Sequence, residues 1–174
     1  MRSNPRKLTT EEQLYAAALR ALMRRAHSVY EMRQLLERRA ADEKMVRPVL
    51  TRLKERKYLD DARYALEFAR SRTQTRRQGR YRIARELRTR GIPDRHLEAA
   101  LDAVFAVTDE ATLVRARLKR KLATMRGALD ERKIASLYRG LLHAGFSGDV
   151  IRTELRAATK AAVDELPEVP AEDG

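Results

Sequence analysis

The sequence predicts an all-α protein made of three tandem three-helix repeats. The first observation is composition: alanine, leucine, arginine, glutamate and lysine dominate the 174 residues, which contain only seven glycines and five prolines. With 5% aromatic residues as well, this composition is unusual for a β-rich protein. The second observation is an apolar pattern with helical spacing that occurs three times along the chain. Together they favour a repeat protein whose small units pack on their neighbours.

The three copies align on Ala40, Gly91 and Gly145, which are 51 and 54 residues apart. Apolar residues recur eight and four positions before each anchor and six, ten and thirteen positions after it. Because residues three or four apart share a helix face, each copy contains two helices joined by a turn. Gly91 and Gly145 are typical of a left-handed helix end, whereas the first copy has Ala40 there. The recurring positions are Met32, Leu36, Val46, Leu50 and Leu53, then Ile83, Leu87, Leu97, Leu101 and Val104, then Leu137, Leu141, Ile151, Leu155 and Ala158.

A further helix is predicted before each pair, because a capping residue precedes an apolar stripe in every copy. The predicted starts are Thr9 with Glu12, then Asp60 or Asp61, then Thr108 or Asp109. The stripes are Tyr15, Leu19 and Leu22, then Tyr64 and Phe68, then Val114, Leu118 and Leu122.

The helices of each pair also have predicted starts. Ser28 with Glu31 forms a capping box for the first pair. Asp42, Pro93 and Ser147 are the expected starts of the last helix in the three copies.

Two residues do not fit this scheme. Pro48 lies about six positions into a helix that starts at Asp42, where proline costs ~3 kcal/mol if the helix stays straight. We therefore expect a kink, or a helix that begins later. Glu154 takes a position that Val49 and Ala100 fill in the other copies, which predicts a more open third copy.

The patterns divide the chain into five segments. A flexible N-terminus (1–10) precedes three repeats at 11–59, 60–107 and 108–160. The remaining residues, 161–174, combine five carboxylates and two prolines with little to bury, which predicts a disordered acidic tail.

The net charge of +13 raises the expectation of an anionic partner. Nine arginines lie between Arg70 and Arg90, with Glu86 as the only carboxylate. A solvated surface is the alternative interpretation, but unbalanced arginines repel one another, and guanidinium groups suit phosphates and carboxylates alike. We expect eight of them to bind protein or DNA: Arg70, Arg72, Arg76, Arg77, Arg80, Arg82, Arg85 and Arg88.

Several kinds of chemistry are not expected. The chain has no cysteine and no glycine-rich phosphate loop, and its three histidines are far apart, so we expect no catalytic residue, cofactor or metal. Asp60 and Asp61 are interpreted as helix caps, and His27 and His143 as solvated or facing a helix dipole. Tyr64 and Phe68 are interpreted as core residues in preference to a base-stacking surface. Without a long apolar run or a secretory signal, the protein is expected in the cytoplasm.

Three stretches resemble the bacterial RecX family, regulators of the recombinase RecA: KYLDDARYALEFARSR, RIARELRTRGIPDRHLEAAL and LYRGLLHAGFSGDVIRTEL. The resemblance extends from about Tyr15 to Ala158. It implies an elongated, curved protein of three three-helix repeats, which we expect to be a monomer. It also implies binding along the groove of the RecA filament, limited filament growth, and less ATP hydrolysis, strand exchange and co-protease activity. Ala40 and the highly charged RTQTRRQGRY connection depart from the family pattern, and the acidic tail lies outside it.

The alternative is a stand-alone basic DNA-binding protein of the helix-turn-helix type. Leu87 to Leu101 places two short helices around a glycine-containing turn. However, the same pair occurs three times, and the helix after Gly91 begins with Pro93, Asp94, Arg95 and His96, a poor set for reading bases. In either case, contact with single- or double-stranded DNA is expected through its phosphates. A nuclease is disfavoured because clustered carboxylates are absent from the sequence.

Overall fold

The structure, a computed structural model, describes residues 7–127 and 129–164. These residues form nine α-helices, one short 3-10 helix and an isolated bridge between Leu8 and Ala40. The all-α prediction is therefore confirmed for the described part of the chain. The helices are α1 (Glu11–Arg24), α2 (Val29–Glu37), α3 (Val46–Glu55), α4 (Asp61–Arg76), α5 (Arg80–Thr89), α6 (Asp94–Phe105), α7 (Glu110–Thr124), α8 (Glu131–His143) and α9 (Gly148–Asp164).

The recurring apolar positions form the core. Fourteen of the fifteen are buried, and Ala158 is half-buried. Gly91 and Gly145 adopt left-handed backbone angles, with φ of +68° and +92°, as predicted for helix ends. Ala40 pairs with Leu8 instead, since the N–H of Leu8 donates to the carbonyl of Arg39 (2.8 Å) and the N–H of Ala41 donates to the carbonyl of Leu8 (2.8 Å).

The stripe of α7 is confirmed, since Val114 and Leu118 are buried, whereas the stripes of α1 and α4 were predicted less well. The most buried residues of α1 are Leu14, Ala17 and Ala18, together with Tyr15, whereas Leu19 and Leu22 are only partly buried. In α4 the fully buried residues are Ala65 and Ala69. Tyr64 and Phe68 are half-buried and stack with a centroid separation of 6.1 Å. Alanine gives a weak hydrophobic signal in sequence, which explains why these buried faces were missed.

The helix caps mostly follow the sequence. Ser28 and Glu31 form the predicted capping box, and the carboxylates of Asp60 and Asp109 cap α4 and α7. The predicted cap at Thr9 is wrong. Thr10 caps α1 by accepting from the N–H of Gln13, whose Oε1 accepts from the N–H of Thr9. Because the neighbouring threonines both have an acidic or amide residue three positions later, the pattern fits two registers.

Pro48 is accommodated by a late helix start. Asp42 begins a 3-10 turn at Glu43–Met45, and α3 begins at Val46. Pro48 is the third residue of α3, where its missing N–H would have had no partner within the helix. The expectation of a later start is confirmed.

The described residues divide into two compact units. Unit 1 contains residues up to 71 together with residues 84–104, and unit 2 contains residues 72–83 together with those from 105 onward. Helices α4 and α5 each contribute residues to both units. The limits of the three repeats stay a prediction.

Glu154 does not open the third copy of the pattern. Its side chain is buried in unit 2, and its carboxylate pairs with the guanidinium of Arg115 at 3.1 Å. The polar residue is therefore accommodated in the core by a cation from α7.

Helix α9 includes residues 161–164, which were assigned to the acidic tail. The rest of the tail, residues 165–174, and residues 1–6 of the N-terminus lie outside the described residues. Within the described ranges, no helix has the length and apolar character needed to span a bilayer.

Candidate anion-binding interface

The eight predicted arginines are shared between the two units. Arg70, Arg85 and Arg88 belong to unit 1, whereas the other five belong to unit 2. Arg70, Arg76, Arg77, Arg85 and Arg88 are exposed, and the remaining three are partly buried.

In unit 1, two of the arginines have acidic partners. The Nε of Arg88 lies 3.1 Å from Asp94 and its Nη2 lies 3.6 Å from Glu98, while Arg70 lies 3.5 Å from Glu67. Exposed pairs of this kind contribute about 1 kcal/mol or less. Their importance here is that local carboxylates compensate much of the predicted positive charge in unit 1.

In unit 2, Arg117 of α7 holds the end of α4. Its Nε donates to the carbonyl of Arg77 (2.8 Å) and its Nη2 donates to the carbonyl of Arg76 (2.6 Å). Arg77 itself has a left-handed φ of +47°, which ends the helix there. A cation that binds the last carbonyls of a helix also interacts favourably with the helix dipole. The turn that carries Arg76 and Arg77 is thus tied to α7.

Arg117 lies in a strongly positive environment. Burial lowers the pKa of its guanidinium, and the charges of Arg120, Arg82 and Arg77 lower the pKa further. Arg82 also donates from Nη1 to the carbonyl of His143 at 3.2 Å. The guanidinium groups of Arg77, Arg82 and Arg120 therefore each lie close enough to Arg117 to repel it, and a bound anion would relieve that repulsion. We refer to Arg77, Arg82, Arg117 and Arg120 as the unit 2 arginine cluster.

The backbone beneath this cluster is closely packed. A Cβ on Gly79 would lie 2.3 Å from the carbonyl oxygen of Gly145, so only glycine fits without movement. The N–H groups of Gly79 and Tyr81 donate to the carbonyls of Ala144 (2.9 Å) and Gly145 (3.0 Å). These contacts fix the start of α5 against the turn before α9.

Helices α7 and α8 form a groove beside the cluster, with a volume of about 340 Å³. Arg117, Arg120 and Lys121 supply positive charge, and Leu137 and Leu141 supply apolar surface. These cations were not among the predicted binding residues because they lie outside the arginine-rich segment, 27 or more positions after Arg90. The RLKRKL run at 117–122 was the available signal.

The interpretation of Asp60 and Asp61 as caps is confirmed. Asp60 accepts from the N–H of Arg63 (2.9 Å), and Asp61 accepts from the N–H of Val29 at the start of α2 (2.9 Å). Across the described residues, no group of three or more histidine and acidic side chains is placed to hold a metal ion.

His27 corrects an expectation, since its side chain is buried and not solvated. Its Nδ1 lies 2.9 Å from the carbonyl of Arg25, and burial is the main cause that lowers its pKa. The tertiary packing of the α1–α2 turn, which the local sequence does not reveal, buries the ring.

Two family models match the chain: "RecX, first three-helix domain" at residues 15–53 and "RecX, second three-helix domain" at residues 60–101. Regulatory protein RecX from Halorhodospira halophila is 39% identical over 150 residues, which cover 86% of this chain and 87% of that protein. Regulatory protein RecX from Deinococcus radiodurans is 37% identical over 154 residues, which cover 87% and 72% of the two chains.

Solved structures agree with the fold. The crystal structure of RecX from Lactobacillus salivarius matches with a TM-score of 0.71 at 22% identity, covering 87% of this chain and 97% of that one. A second crystal structure, of regulatory protein RecX, matches with a TM-score of 0.74 at 24% identity, covering 82% and 71%. At this identity, the likeness supports the arrangement of helices alone.

Proposed function

The chain belongs to the RecX family of regulatory proteins, and we propose that it is a non-enzymatic, mainly inhibitory regulator of the RecA recombinase. In this proposal it acts in the cytoplasm and binds the RecA–DNA filament. Binding limits filament growth and thereby reduces ATP hydrolysis and strand exchange.

The unit 2 arginine cluster is the observation that carries the proposal. Arg77, Arg82 and Arg120 each repel the guanidinium group of Arg117, and Arg77 and Arg120 are exposed. A filament offers many phosphates on its DNA and carboxylates on its protein, and guanidinium groups bind both with charge-assisted hydrogen bonds. Because the filament is a repeating polymer, a few bound regulators are sufficient to stop its extension.

The alternative function, in which the two helices around the turn at Gly91 read DNA bases, is less well supported. A Cβ on Gly91 would lie 2.4 Å from the Cβ of Tyr30, so this turn packs against α2 within unit 1. At the start of α6, Asp94 pairs with Arg88. A recognition helix needs its first residues available for base edges.

A RecA ATPase titration on single-stranded DNA tests the proposal. We expect hydrolysis to fall at ratios well below one regulator per RecA, because blocking one filament end affects many subunits. The absence of inhibition at equimolar protein would contradict it. If the protein binds duplex oligonucleotides sequence-specifically and leaves RecA unaffected, the stand-alone DNA-binding alternative is favoured.

A further inference from the structure

A second positively charged cavity lies in unit 1, between α1 and α2. Its volume is about 380 Å³, within the range of sites that hold small ligands. Four arginines line it, Arg20 and Arg24 from α1, Arg25 from the α1–α2 turn, and Arg39 from the segment after α2. No carboxylate lines this cavity within the described residues.

The charge around this cavity is only partly compensated. Arg25 pairs with Glu31 at 3.0 Å. Arg20, Arg24 and Arg39 are exposed, and Arg20 and Arg24 are four residues apart on one helix, a spacing at which like charges destabilise the helix. The fold therefore maintains an unfavourable arrangement of charge that a bound anion would stabilise.

The turn that forms one wall of the cavity is held in place. The Nη1 of Arg25 donates to the carbonyl of Ala26 (3.0 Å), and the buried ring of His27 contacts the carbonyl of Arg25 (2.9 Å). Ser28 then begins α2 with its capping box. Since the turn is fixed by these contacts, less conformational entropy is lost when Arg25 binds a ligand.

Apart from the ring of His27, the rest of the lining is apolar. Ala17, Ala21 and Leu35 leave room beside the arginines for a flat or compact uncharged group. Arginine beside apolar surface is the combination that a nucleotide requires, because its phosphate is anionic and its base and sugar are less polar.

We propose that the cavity between α1 and α2 binds a nucleotide phosphate through Arg20, Arg24, Arg25 and Arg39. The site is distinct from the unit 2 arginine cluster and does not depend on the proposed regulation of RecA. The same chemistry admits two sources of the phosphate: one nucleotide of a DNA strand, or a free nucleoside triphosphate.

A fluorescent label next to the cavity tests this site directly. The chain has no cysteine, and Met23 is 87% exposed on the last turn of α1 without lining the cavity, so Met23→Cys accepts a single environment-sensitive dye. The labelled protein is titrated with a short oligothymidylate and, separately, with ATP in the presence of EDTA. We expect a saturable signal with at least one of them. A response to both ligands means that a free nucleotide is sufficient for binding. A response to the oligonucleotide alone means that the site binds a nucleotide within a DNA strand.

Two triple variants provide the comparison. Arg20→Gln/Arg24→Gln/Arg39→Gln is expected to weaken the labelled response by at least about 30-fold, since each lost charge-assisted bond weakens affinity by about tenfold. Arg33→Gln/Arg38→Gln/Arg47→Gln removes the same charge from exposed positions of unit 1 outside the cavity, and we expect a change within about threefold. Arg24→Gln alone, with an expected loss of about tenfold, replaces the first triple if that variant unfolds.

Equal losses in the two triples would overturn the assignment, because the response would then report only net charge. The lack of a saturable response to either ligand would overturn it as well. Neither result depends on RecA, so this test and the ATPase titration can fail independently.

Discussion

The same helix junction occurs in each unit, with different side chains around it. In unit 1, the Oγ of Ser28 donates to the carbonyl of Arg90 at 2.6 Å. In unit 2, the N–H of Gly79 donates to the carbonyl of Ala144 at 2.9 Å. Ser28 and Gly79 both lie twelve residues before their anchors, Ala40 and Gly91, so the two contacts are equivalent within the repeat.

An acidic residue completes each junction. The first residue of α4, Asp61, accepts from the N–H of Val29 (2.9 Å). The first residue of α7, Glu110, accepts from the N–H of Arg80 (2.9 Å). In unit 1 the carboxylate therefore comes from α4 and binds the N-terminus of α2, and in unit 2 it comes from α7 and binds the N-terminus of α5. The helix dipole favours negative charge at both N-termini.

The two junctions differ in their electrostatics. The unit 1 junction contains Glu31, which accepts from Arg25 and lies 3.4 Å from the hydroxyl of Tyr64. Burial alone would raise the pKa of Glu31, but hydrogen bonds from Arg25 and from the N–H of Ser28 outweigh it and the pKa is lowered. At the unit 2 junction, Arg82 of the arginine cluster lies against Gly145 and donates to the carbonyl of His143. In unit 1, the equivalent junction is closed by the hydroxyl of Ser28, beside the carboxylate of Glu31. This type of junction therefore does not require the unit 2 arginine cluster, which favours a binding role for the cluster.

The largest expected effect comes from the glycine at the unit 2 junction. Gly79→Ala places a Cβ 2.3 Å from a backbone oxygen, so the backbone must shift, and we expect a loss of about 3 kcal/mol or more in the free energy of unfolding. Urea denaturation measures it. Gly140→Ala is the matched control, because nothing lies within 4 Å of the new Cβ, and we expect it to stabilise α8 by about 0.5–1 kcal/mol. Similar midpoints for the two variants would contradict the close packing of the junction.

At the unit 1 junction, Ser28→Ala removes two hydrogen bonds, one accepted from the N–H of Glu31 and one donated to Arg90. We expect a loss of about 1–2 kcal/mol in the free energy of unfolding. Thr51→Ala, at an exposed position within α3, should change it by less than about 0.5 kcal/mol. If Ser28→Ala were as stable as Thr51→Ala, Ser28 would not hold this junction.

Charge removal at the unit 2 cluster should affect binding more than folding. In DNA-binding measurements at several salt concentrations, Arg77→Gln should reduce the slope of log affinity against log salt by about 0.7–0.9 if one phosphate contact is lost. Its thermal stability at low salt should stay the same or rise, since a repulsive charge is removed. An unchanged slope would assign Arg77 to a protein-facing role.

The smallest effect concerns His27. Because its pKa is lowered in the folded protein from an ordinary value of 6.5, the unfolded chain takes up a proton first as the pH falls. The free energy of unfolding should therefore decrease as the pH falls from about 6.5 towards the folded-state pKa, and become level below it. His27→Gln should reduce this decrease in denaturation curves at pH 7.5, 6.5 and 5.5. A variant with the same pH dependence as the parent would exclude His27 as its source.

Local patterns explain why much of the fold was predictable. The recurring apolar positions, the left-handed Gly91 and Gly145, and the Ser28 cap all depend on residues within one or two helical turns. The buried alanine faces of α1 and α4 were not predicted, because a methyl group contributes little to a hydrophobic pattern. The sequence could not show whether Thr9 or Thr10 caps α1, because both residues fit the same capping pattern.

The candidate site was less predictable because long-range contacts build it. Arg117 reaches the carbonyl of Arg77 across 40 residues, and Arg115 pairs with Glu154 across 39 residues. Arg88, which was expected to face a partner, meets Asp94 after the chain reverses at Gly91. Charge density along the sequence therefore located the arginine-rich segment but did not reveal which of its arginines have local acidic partners.

The concentration of protein that halves RecA ATP hydrolysis on single-stranded DNA tests the role of the unit 2 cluster most directly. Arg77→Gln/Arg120→Gln removes its two exposed members, and Arg132→Gln/Arg156→Gln removes the same charge from exposed positions on α8 and α9. We predict an increase of about tenfold or more for the cluster variant and little change for the control, with both proteins folded. Equal half-inhibition concentrations for the two variants would contradict a binding role for the cluster.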